Sequence, residues 1–358
     1  MSVATLHPFH PLRVAEVEPL TDDAIAVTFD VPAGLREAFR FAPGQHLTLR
    51  RILDGTELRR TYSICSSAVS GPLRVAVKRL DGGQFSGWAQ QSLRVGMEVD
   101  VMTPAGSFTP RLDPAAGRHC AAVAAGSGIT PVLSILTTVL EAEPASRFTL
   151  VYGNRTSRDV MFLEELADLK DRYPARLQLV HVLSREPQQA DLLTGRIDPE
   201  KMRRLLAGVV APDDVDEWFL CGPFGMVMAV RDTLLEAGVS AAKVHLELFH
   251  VDGEPVRPAR VVRADGSAST VTAVLAGRAT VVDVDYDGPS ILDALLAVRP
   301  DAPYACKSGV CGTCRARLVD GSVELDRNYA LEPDEVEHGV VLTCQAHPTS
   351  ARVTVEYE

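Results

Sequence analysis

Long apolar runs are absent from the 358 residues. Nothing approaches the roughly 18–20 consecutive apolar residues of a membrane-spanning helix, so no span is expected. The opening Met1-Ser-Val-Ala-Thr-Leu-His-Pro lacks the basic region and apolar stretch of a secretion signal, and a cytoplasmic location is expected. An excess of positive charge is missing as well. Lys and Arg number 36 against 47 Asp and Glu, for a net charge of −11, which argues against a nucleic-acid partner. Internal repeats and low-complexity tracts do not occur. Aromatic residues make up only 6%, yet hydrophobic residues reach 46%, ample core for a soluble globular protein of two or three domains. A disulfide framework is lacking too. Of seven cysteines, Cys65, Cys120 and Cys221 stand apart with no framework spacing, as in a reducing compartment. From Ala264 onward 15 acidic residues face 7 basic ones, so most of the net charge sits in the last quarter. That is either a solvated face or an acidic docking patch for a redox partner.

The other four cysteines carry the strongest signal. Cys306-Lys-Ser-Gly-Val-Cys311-Gly-Thr-Cys314 reads C-x4-C-x2-C, with Cys344 far downstream, and this is the plant-type [2Fe–2S] spacing. Four thiolates can bridge two irons when three come from one tight loop and the fourth from a distant strand. Lys307, Ser308 and Gly309 are small or flexible enough to wrap that loop, with amides able to donate to the sulfurs. A structural zinc also takes four Cys, but zinc ribbons usually carry two C-x2-C knuckles, and Cys344 stands alone. Cys306, Cys311, Cys314 and Cys344 are therefore the expected cluster ligands. A one-electron cluster needs an electron source, and the chain before residue 250 reads as one.

Short alternating strands are expected at Leu12–Val17, Ala24–Phe29, His46–Arg51, Glu57–Ile64, Leu73–Arg79 and Glu98–Met102, separated by turns such as Asp54-Gly55 and Asp81-Gly82-Gly83. Six such strands suggest a small antiparallel barrel. Alternation puts Arg60 and Tyr62 on one strand face, a phosphate-binding cation beside an aromatic that can stack on a flat ring. Ser63, on the opposite parity, can hydrogen-bond a ring nitrogen. The glycines near Ser86 precede an expected helix over Gly87–Leu93, whose first amides favour a pyrophosphate. Cys65 is expected to be a small buried residue.

Composition shifts after Pro110. The apolar Cys120–Ala125 meets Gly126-Ser127-Gly128-Ile129-Thr130-Pro131, then a helical pattern from Val132 to about Leu140. Strand, glycine turn and helix bring backbone to a pyrophosphate, although the third glycine of G-x-G-x-x-G is missing. Further strands are expected at Phe148–Tyr152, Leu177–Leu183, Trp218–Cys221 and up to Phe249. Helices are expected at Val160–Lys170, Glu200–Leu206 and Met226–Glu236. Five strands alternating with helices argue a doubly wound parallel sheet. Cofactor choice turns on the end of the second strand. No acid is seen there for a ribose hydroxyl, whereas Arg155 and Arg158 can pair with a 2′-phosphate, which favours NADPH over NADH.

Residues 251–263, with two prolines, a glycine and several charges, read as a linker. Beyond it, Ser269–Leu275 and Ala279–Val284 form a hairpin around Ala276-Gly277, and Ser290-x-x-Asp293 opens a helix. Strands Arg315–Val319, Val340–Cys344 and Arg352–Tyr357 complete a mixed sheet gripping one helix. E-x-x-H, a di-iron spacing in helix bundles, occurs as Glu247-x-x-His250 and Glu335-x-x-His338. The first lies at a strand end and the second in an acidic loop after Pro333, so no oxygen-activating centre is expected.

Taken in order, Pro43-Gly44-Gln45-His46, Arg60-Thr61-Tyr62-Ser63, Val77-Lys78-Arg79 and Gly82–Ser86 resemble the flavin domain of the ferredoxin–NADP reductase family. The resemblance implies FAD, with Arg60 and Ser86 near the phosphates and Tyr62 and Ser63 at the isoalloxazine. It implies a flavin site that includes His46, Val77, Lys78, Gly83 and Phe85. In this family Cys221-Gly222-Pro223-x-x-Met226 faces the nicotinamide, which implies a catalytic part for Cys221 with Ser63 and Glu247. Gly126, Gly128, Thr130, Gly222 and Pro223 would bind the nucleotide, and Phe249 would cover the flavin. With Phe41–Leu49, Leu58–Cys65, Tyr152–Thr156 and Pro303–Lys307 added, the chain is similar to the reductase subunits of bacterial ring-1,2-phenylacetyl-CoA epoxidases. The implied reaction passes electrons from NADPH through FAD and the cluster to a separate di-iron oxygenase of a multicomponent monooxygenase. FAD is required because it alone accepts two electrons and releases them singly.

The expected class is multidomain β and α/β. It comprises an antiparallel flavin-binding β-barrel (1–112), a nucleotide-binding domain (113–250) and, after the linker, a β-grasp ferredoxin domain (264–358). Two other readings stay open. One is the same architecture serving another acceptor, such as a hybrid-cluster protein or a different ring hydroxylase. The other is a non-catalytic iron–sulfur redox sensor, against which the complete nucleotide domain argues.

Overall fold

Six strands open the computed structural model, which describes residues 9–53, 55–249, 268–331 and 333–357. They are β1 (Phe9–Thr21), β2 (Ala24–Asp30), β3 (His46–Leu53), β4 (Thr56–Ser63), β5 (Arg74–Lys78) and β6 (Glu98–Met102), with helix α1 (Gln84–Ser92) between the last two. All six expected strands form, and their order is β4-β3-β6-β1-β2-β5. A bridge between Ile64 and Val75 joins the two ends, so the sheet closes into a barrel. Alternate residues such as Leu12, Val14, Leu47, Leu49, Val75 and Val77 fill its interior. Helix α1 starts three residues earlier than expected. Gly83 is its extended N-cap, and the Ser86 hydroxyl accepts from Leu80 N at 3.1 Å and donates to Gly83 O at 3.3 Å, which tightens the loop into the first turn.

The next sheet is parallel. Its strands are β7 (His119–Ala125), β8 (Arg147–Asn154), β9 (Leu177–Leu183), β10 (Glu217–Gly222) and β11 (Val244–Leu248). Helices α2 (Ile129–Ala142), α3 (Leu163–Arg172), α4 (Pro199–Gly208) and α5 (Phe224–Glu236) connect them. The order β11-β10-β7-β8-β9 reverses direction between β7 and β10, and a crevice opens at the carboxyl ends of strands at such a switch point. Every residue of α2 from Ile129 to Leu140 is buried, because the helix lies between sheet and barrel. Its Ser134 hydroxyl donates to the Ser66 carbonyl at 2.6 Å, and Thr138 Oγ1 accepts from Ala68 N at 2.9 Å. Barrel and nucleotide sheet thus belong to one compact unit, comprising His10–Leu58 and Tyr62–Phe249. Helix α3 begins at Leu163 rather than Val160, since Phe162 takes a left-handed φ of 59° and restarts the backbone there.

The second unit consists mainly of the C-terminal residues; the expected linker lies outside the described ones. It contains β12 (Ala268–Leu275), β13 (Arg278–Asp285), α6 (Ile291–Leu296), β14 (Arg315–Asp320) and β15 (Val323–Leu325). After these come α7 (Pro333–Glu337), β16 (Val340–Leu342), β17 (Ala346–Pro348) and β18 (Arg352–Tyr357). The sheet order is β13-β12-β18-β14-β16, mixed because β12 and β18 run parallel. Ala276 and Gly277, at φ 50° and 73°, make the doubly left-handed turn that matches hairpin twist. Ser290 Oγ accepts from Asp293 N at 3.2 Å, and Ile291, Leu292 and Leu295 of α6 pack into the sheet's core.

Three expectations change here. Strands β15 and β17 form a separate two-stranded pair, too short for the pattern to register. The strand read as Val340–Cys344 stops at Leu342, leaving Cys344 in the turn before β17. Glu335, read in a loop, sits on α7 and pairs with Arg315 of β14, while His338 Nδ1 contacts the Asp334 carbonyl at 2.6 Å.

Candidate active site and iron–sulfur centre

Three residues far apart in sequence meet at the crevice. The Ser63 hydroxyl at the end of β4 donates to Glu247 Oε2 of β11 at 3.0 Å. Glu247 sits beside Cys221 in the parallel register of β10 and β11. Packed protein surrounds Glu247 on most sides while leaving it partly accessible, and this burial pushes its carboxyl up to about 8, with the Ser63 hydrogen bond pulling the other way. Glu247 is therefore a largely protonated carboxylic acid at neutral pH. Burial, and then the nearby Glu247, also raise the Cys221 thiol well above its usual range, so it is a neutral S–H with no accessible surface. It offers packing and polarisability, and no thiolate.

The two glycine turns meet at the same place. A side chain on Gly128 would overlap the Cys221 carbonyl, so the start of α2 lies directly against the end of β10. Gly126 takes φ 54° with open space where a Cβ would stand, so a ligand can approach its backbone closely. Thr130 is spent within the turn, its hydroxyl donating to Ser127 O at 3.0 Å. Gly222 is pressed by Met226 and Ala125, and Pro223 is the N-cap of α5. Phe249, just past β11, is 41% exposed and available to cover a planar group.

On the barrel, Tyr62 is half-buried and packs against Phe85, ring centroids 5.7 Å apart, with Phe85 against Trp88 at 5.4 Å. His46 is buried against Gly106, its backbone donating to Ala105 O at 2.8 Å. Burial holds the imidazole down to about 4, hence neutral, and its Nε2 has no partner among the described residues. Tyr62, half-buried, presents an aromatic face that fits a flavin-type heterocycle, with the buried Phe85 packed behind it. Arg60 is exposed and folds back onto the Arg59 carbonyl at 2.7 Å. Val77 is wholly inside the barrel. Lys78 pairs with Asp23 at 3.1 Å, and Arg155 adds to the field that lowers the Asp23 carboxyl against its own burial. With the Ser86 hydroxyl used inside its loop, what Gly83 and α1 offer an anion are first-turn amides.

The loop after β8 holds a correction. At the end of β8, Arg155 and Arg158 flank Ser157, as the sequence implied. The end of β9 lies beside them, because Arg185 N donates to Arg155 O at 2.7 Å. That brings in Arg185 and an acid, Glu186, which accepts from Ser157 N at 2.8 Å and Ser157 Oγ at 2.9 Å. The hydrogen bonds from Ser157 lower its carboxyl. An acid does stand at this corner, supplied by the neighbouring strand. The signal was in Ser184-Arg185-Glu186 directly after β9, once adjacent parallel strands are taken to end together.

In the C-terminal unit the four expected sulfurs gather in two pairs. Cys306 pairs with Cys311, and Cys314 with Cys344. The Cys311 S–H and the amides of Ser308 and Val310 hold Cys306 down to about 5, while Cys344 is lowered by Cys314, Gln345 and the Gly309 amide. Ser308 N lies 3.4 Å from Cys306 Sγ. Left-handed Lys307, Gly309 and Gly312, at φ 55°, 77° and 66°, curl the loop so that its amides face inward. Among the described residues no three His, Cys, Asp or Glu groups surround one single-ion position. Two cysteine pairs under converging amides suit two bridged irons better than one tetrahedral ion.

Comparison with known proteins bears on each part. Residues 11–109 match an oxidoreductase FAD-binding domain, 122–232 an oxidoreductase NAD-binding domain, and 274–349 a 2Fe-2S iron-sulfur cluster binding domain. The chain is 48% identical over 352 residues to one of the subunits of the 1,2-phenylacetyl-CoA epoxidase of Escherichia coli, covering 98% of each. It is 35% identical to the ferredoxin reductase component of 3-ketosteroid-9-alpha-monooxygenase from Rhodococcus rhodochrous, covering 97% of this chain and 96% of that one. Among solved structures, phthalate dioxygenase reductase, a modular structure for electron transfer from pyridine nucleotides to [2Fe–2S], is 25% identical with a TM-score of 0.58, covering 97% of this chain and 98% of that one. A type IV self-sufficient cytochrome P450 monooxygenase, at 24% identity, shares the fold with a TM-score of 0.72 over 97% of this chain and 41% of that one.

Proposed function

The chain belongs to the family of oxygenase reductase components with FAD-binding, NAD-binding and [2Fe–2S] domains, and on that footing we propose its cofactor preference, its site residues and its partner. As a member of that family it is an oxidoreductase that moves electrons from a nicotinamide nucleotide through FAD and a [2Fe–2S] cluster to an oxygenase. When bound, the flavin splits a two-electron donation into single electrons and the cluster relays them.

The observation that carries the assignment of site residues is the meeting of Ser63, Cys221 and Glu247 where both glycine turns end. Ser63 presents a hydroxyl at the flavin edge, oriented by Glu247. Glu247, kept protonated by burial, holds a proton ready beside that edge. Cys221 fills the space under the nicotinamide with a small neutral group, and Phe249 shields the crevice from water. The first-turn amides of α1 with Arg60 take the FAD pyrophosphate, and those of Gly126–Thr130 take the nucleotide pyrophosphate. Tyr62 would stack on the ring system with Phe85 packed behind it, His46 and Val77 would back the site from within the barrel, and Lys78 would add positive field. Cys306, Cys311, Cys314 and Cys344 would hold the cluster as its four thiolate ligands.

The nucleotide is NADPH: Arg155, Arg158 and Arg185 stand at this corner, and its acids are already held, Glu186 by Ser157 and Asp159 by Thr156. Glu186 is the feature that favours NADH. Arg155→Ala and Arg185→Ala should each lower the ratio of kcat/KM for NADPH over NADH about tenfold, and Glu186→Gln should raise it. An unchanged ratio in both arginine variants would remove the assignment.

The relative from Escherichia coli points to a di-iron epoxidase acting on phenylacetyl-CoA as the partner, in a cytoplasm whose reducing state suits the unpaired Cys65, Cys120 and Cys221. We divide the chain at 1–112, 113–250 and 264–358. An anaerobic NADPH titration followed by visible absorbance and low-temperature EPR tests the relay. Flavin bleaching together with a reduced [2Fe–2S] signal is the expected result; bleaching beside an intact cluster that stays oxidised would overturn it.

A further inference from the structure

Beneath the nucleotide turn lies a polar group that no step above uses. Tyr152, on β8, is among the largest side chains with no exposed surface, set in the core between the sheet and α2 and α3. Burying a phenol there without partners would cost roughly 1–3 kcal/mol, and a plain core position is served equally well by Phe. The hydroxyl is not idle. It donates to the carbonyl of Gly126 at 3.0 Å. Two residues along the same strand, the Asn154 side-chain nitrogen has no hydrogen-bond partner among the described residues. Asn154 is itself buried, 8% exposed.

The bond joins two different segments of the fold. Gly126 is the left-handed residue that turns β7 into α2. Tyr152 stands on β8, which leads directly into the segment carrying Arg155 and Arg158 and on into α3. Outside this hydroxyl, the Gly126 turn is open on the side where a Cβ would stand. A turn open on one side needs something on the other to keep its carbonyl back and its amides forward.

We propose that the Tyr152 hydroxyl is a positioning residue for nicotinamide-nucleotide binding, tying the pyrophosphate turn at Gly126 to the arginine loop after β8. The inference rests on the reading that Gly126–Thr130 receives the pyrophosphate. Tyr152 touches no substrate. It sets the separation of two loops that grip opposite ends of the same molecule, so its loss weakens ground-state and transition-state binding equally.

The test uses the full-length holoenzyme with NADPH and NADH as donors and ferricyanide as acceptor. Tyr152→Phe should raise KM for both nucleotides about five- to tenfold while leaving kcat within about twofold, with flavin and cluster absorbance and melting temperature close to wild type. Unchanged KM values overturn the proposal. So does a joint fall of kcat, melting temperature and flavin content, which would make Tyr152 a general core residue. Gly126→Ala separates this from the underlying reading. If it raises KM and Tyr152→Phe does not, only the role of Tyr152 fails. If Gly126→Ala also leaves KM unchanged, the nucleotide does not sit on this turn, and both readings fall.

Discussion

Glu247 shows how one side chain can couple stability, pH and turnover. In the unfolded chain its carboxyl titrates near 4.5, and in the fold burial moves it up to about 8. The folded state therefore holds a proton that the unfolded state has lost between those values. Its contribution to stability is fully present below about 4.5 and is lost as pH rises towards 8. Glu247→Gln, which cannot ionise, should have a melting temperature that falls less than wild type's between pH 5 and 8. At pH 8 it should be the more stable protein. Turnover should move the opposite way, falling about tenfold or more with saturating nucleotide if the acid holds the proton used at the flavin edge. Thermal melts across pH and steady-state kinetics on the same samples check both. Equal pH slopes for the two proteins would refute the titration argument. Ser63→Ala, which removes the single hydroxyl that opposes the upward shift, should widen the pH window further.

Loops and turns decide the site at the scale of elements. Gly128 lies so close to the Cys221 carbonyl that an added methyl must push β10 and the start of α2 apart. Gly128→Ala should cost more than about 2 kcal/mol in denaturant unfolding and abolish nucleotide-dependent flavin reduction, because crowding a packed backbone is among the costlier substitutions. Gly126→Ala meets open space, so its cost should be limited to that of a left-handed alanine, about 1–2 kcal/mol. The cluster loop behaves as a unit in the same way. Cys344 closes the second cysteine pair, from a turn about thirty residues away from its partner Cys314. Cys344→Ser should therefore lose most bound iron and the [2Fe–2S] absorbance, while NADPH still bleaches the flavin. Iron analysis and absorbance spectra measure it, and a bleached cluster alongside a dead flavin would mean the two centres are not separable.

Charge matters at the scale of the molecule. The last quarter of the chain carries 15 acids to 7 bases, while the remainder is close to neutral. An oxygenase docking on that unit would meet a negative field that salt screens within about 8–10 Å at physiological strength. NADPH oxidation coupled to a purified oxygenase should fall as NaCl rises from about 50 to 500 mM, while ferricyanide reduction by the same protein changes little. Parallel responses of the two assays would show that docking is not electrostatic. Neither compact unit holds, among its described residues, a helix long and apolar enough to cross a membrane.

What could be read without coordinates followed from local periodicity and spacing. Period-two alternation located all six barrel strands, and apolar runs between glycine turns located the parallel strands, because both patterns are set by near neighbours in the chain. The C-x4-C-x2-C spacing with Cys344 singled out four cysteines whose sulfurs the fold gathers in two pairs. Element ends were less legible, since Gly83 and Ser86 start α1 early and Phe162 starts α3 late through single backbone torsions. Short β15 and β17 exist only because they pair with each other. The resemblance grouped Ser63, Cys221 and Glu247, but the hydrogen bond between Ser63 and Glu247 was beyond local pattern, as was the arrival of Arg185 and Glu186 beside Arg155. So was the reach of the Tyr152 hydroxyl to Gly126. Each depends on which strands lie side by side and how deeply water is excluded between them, and a chain acquires those properties only when distant segments pack. Sequence by itself determined the kinds of chemistry this protein carries; tertiary structure decided which groups stand together and which of them keep their protons.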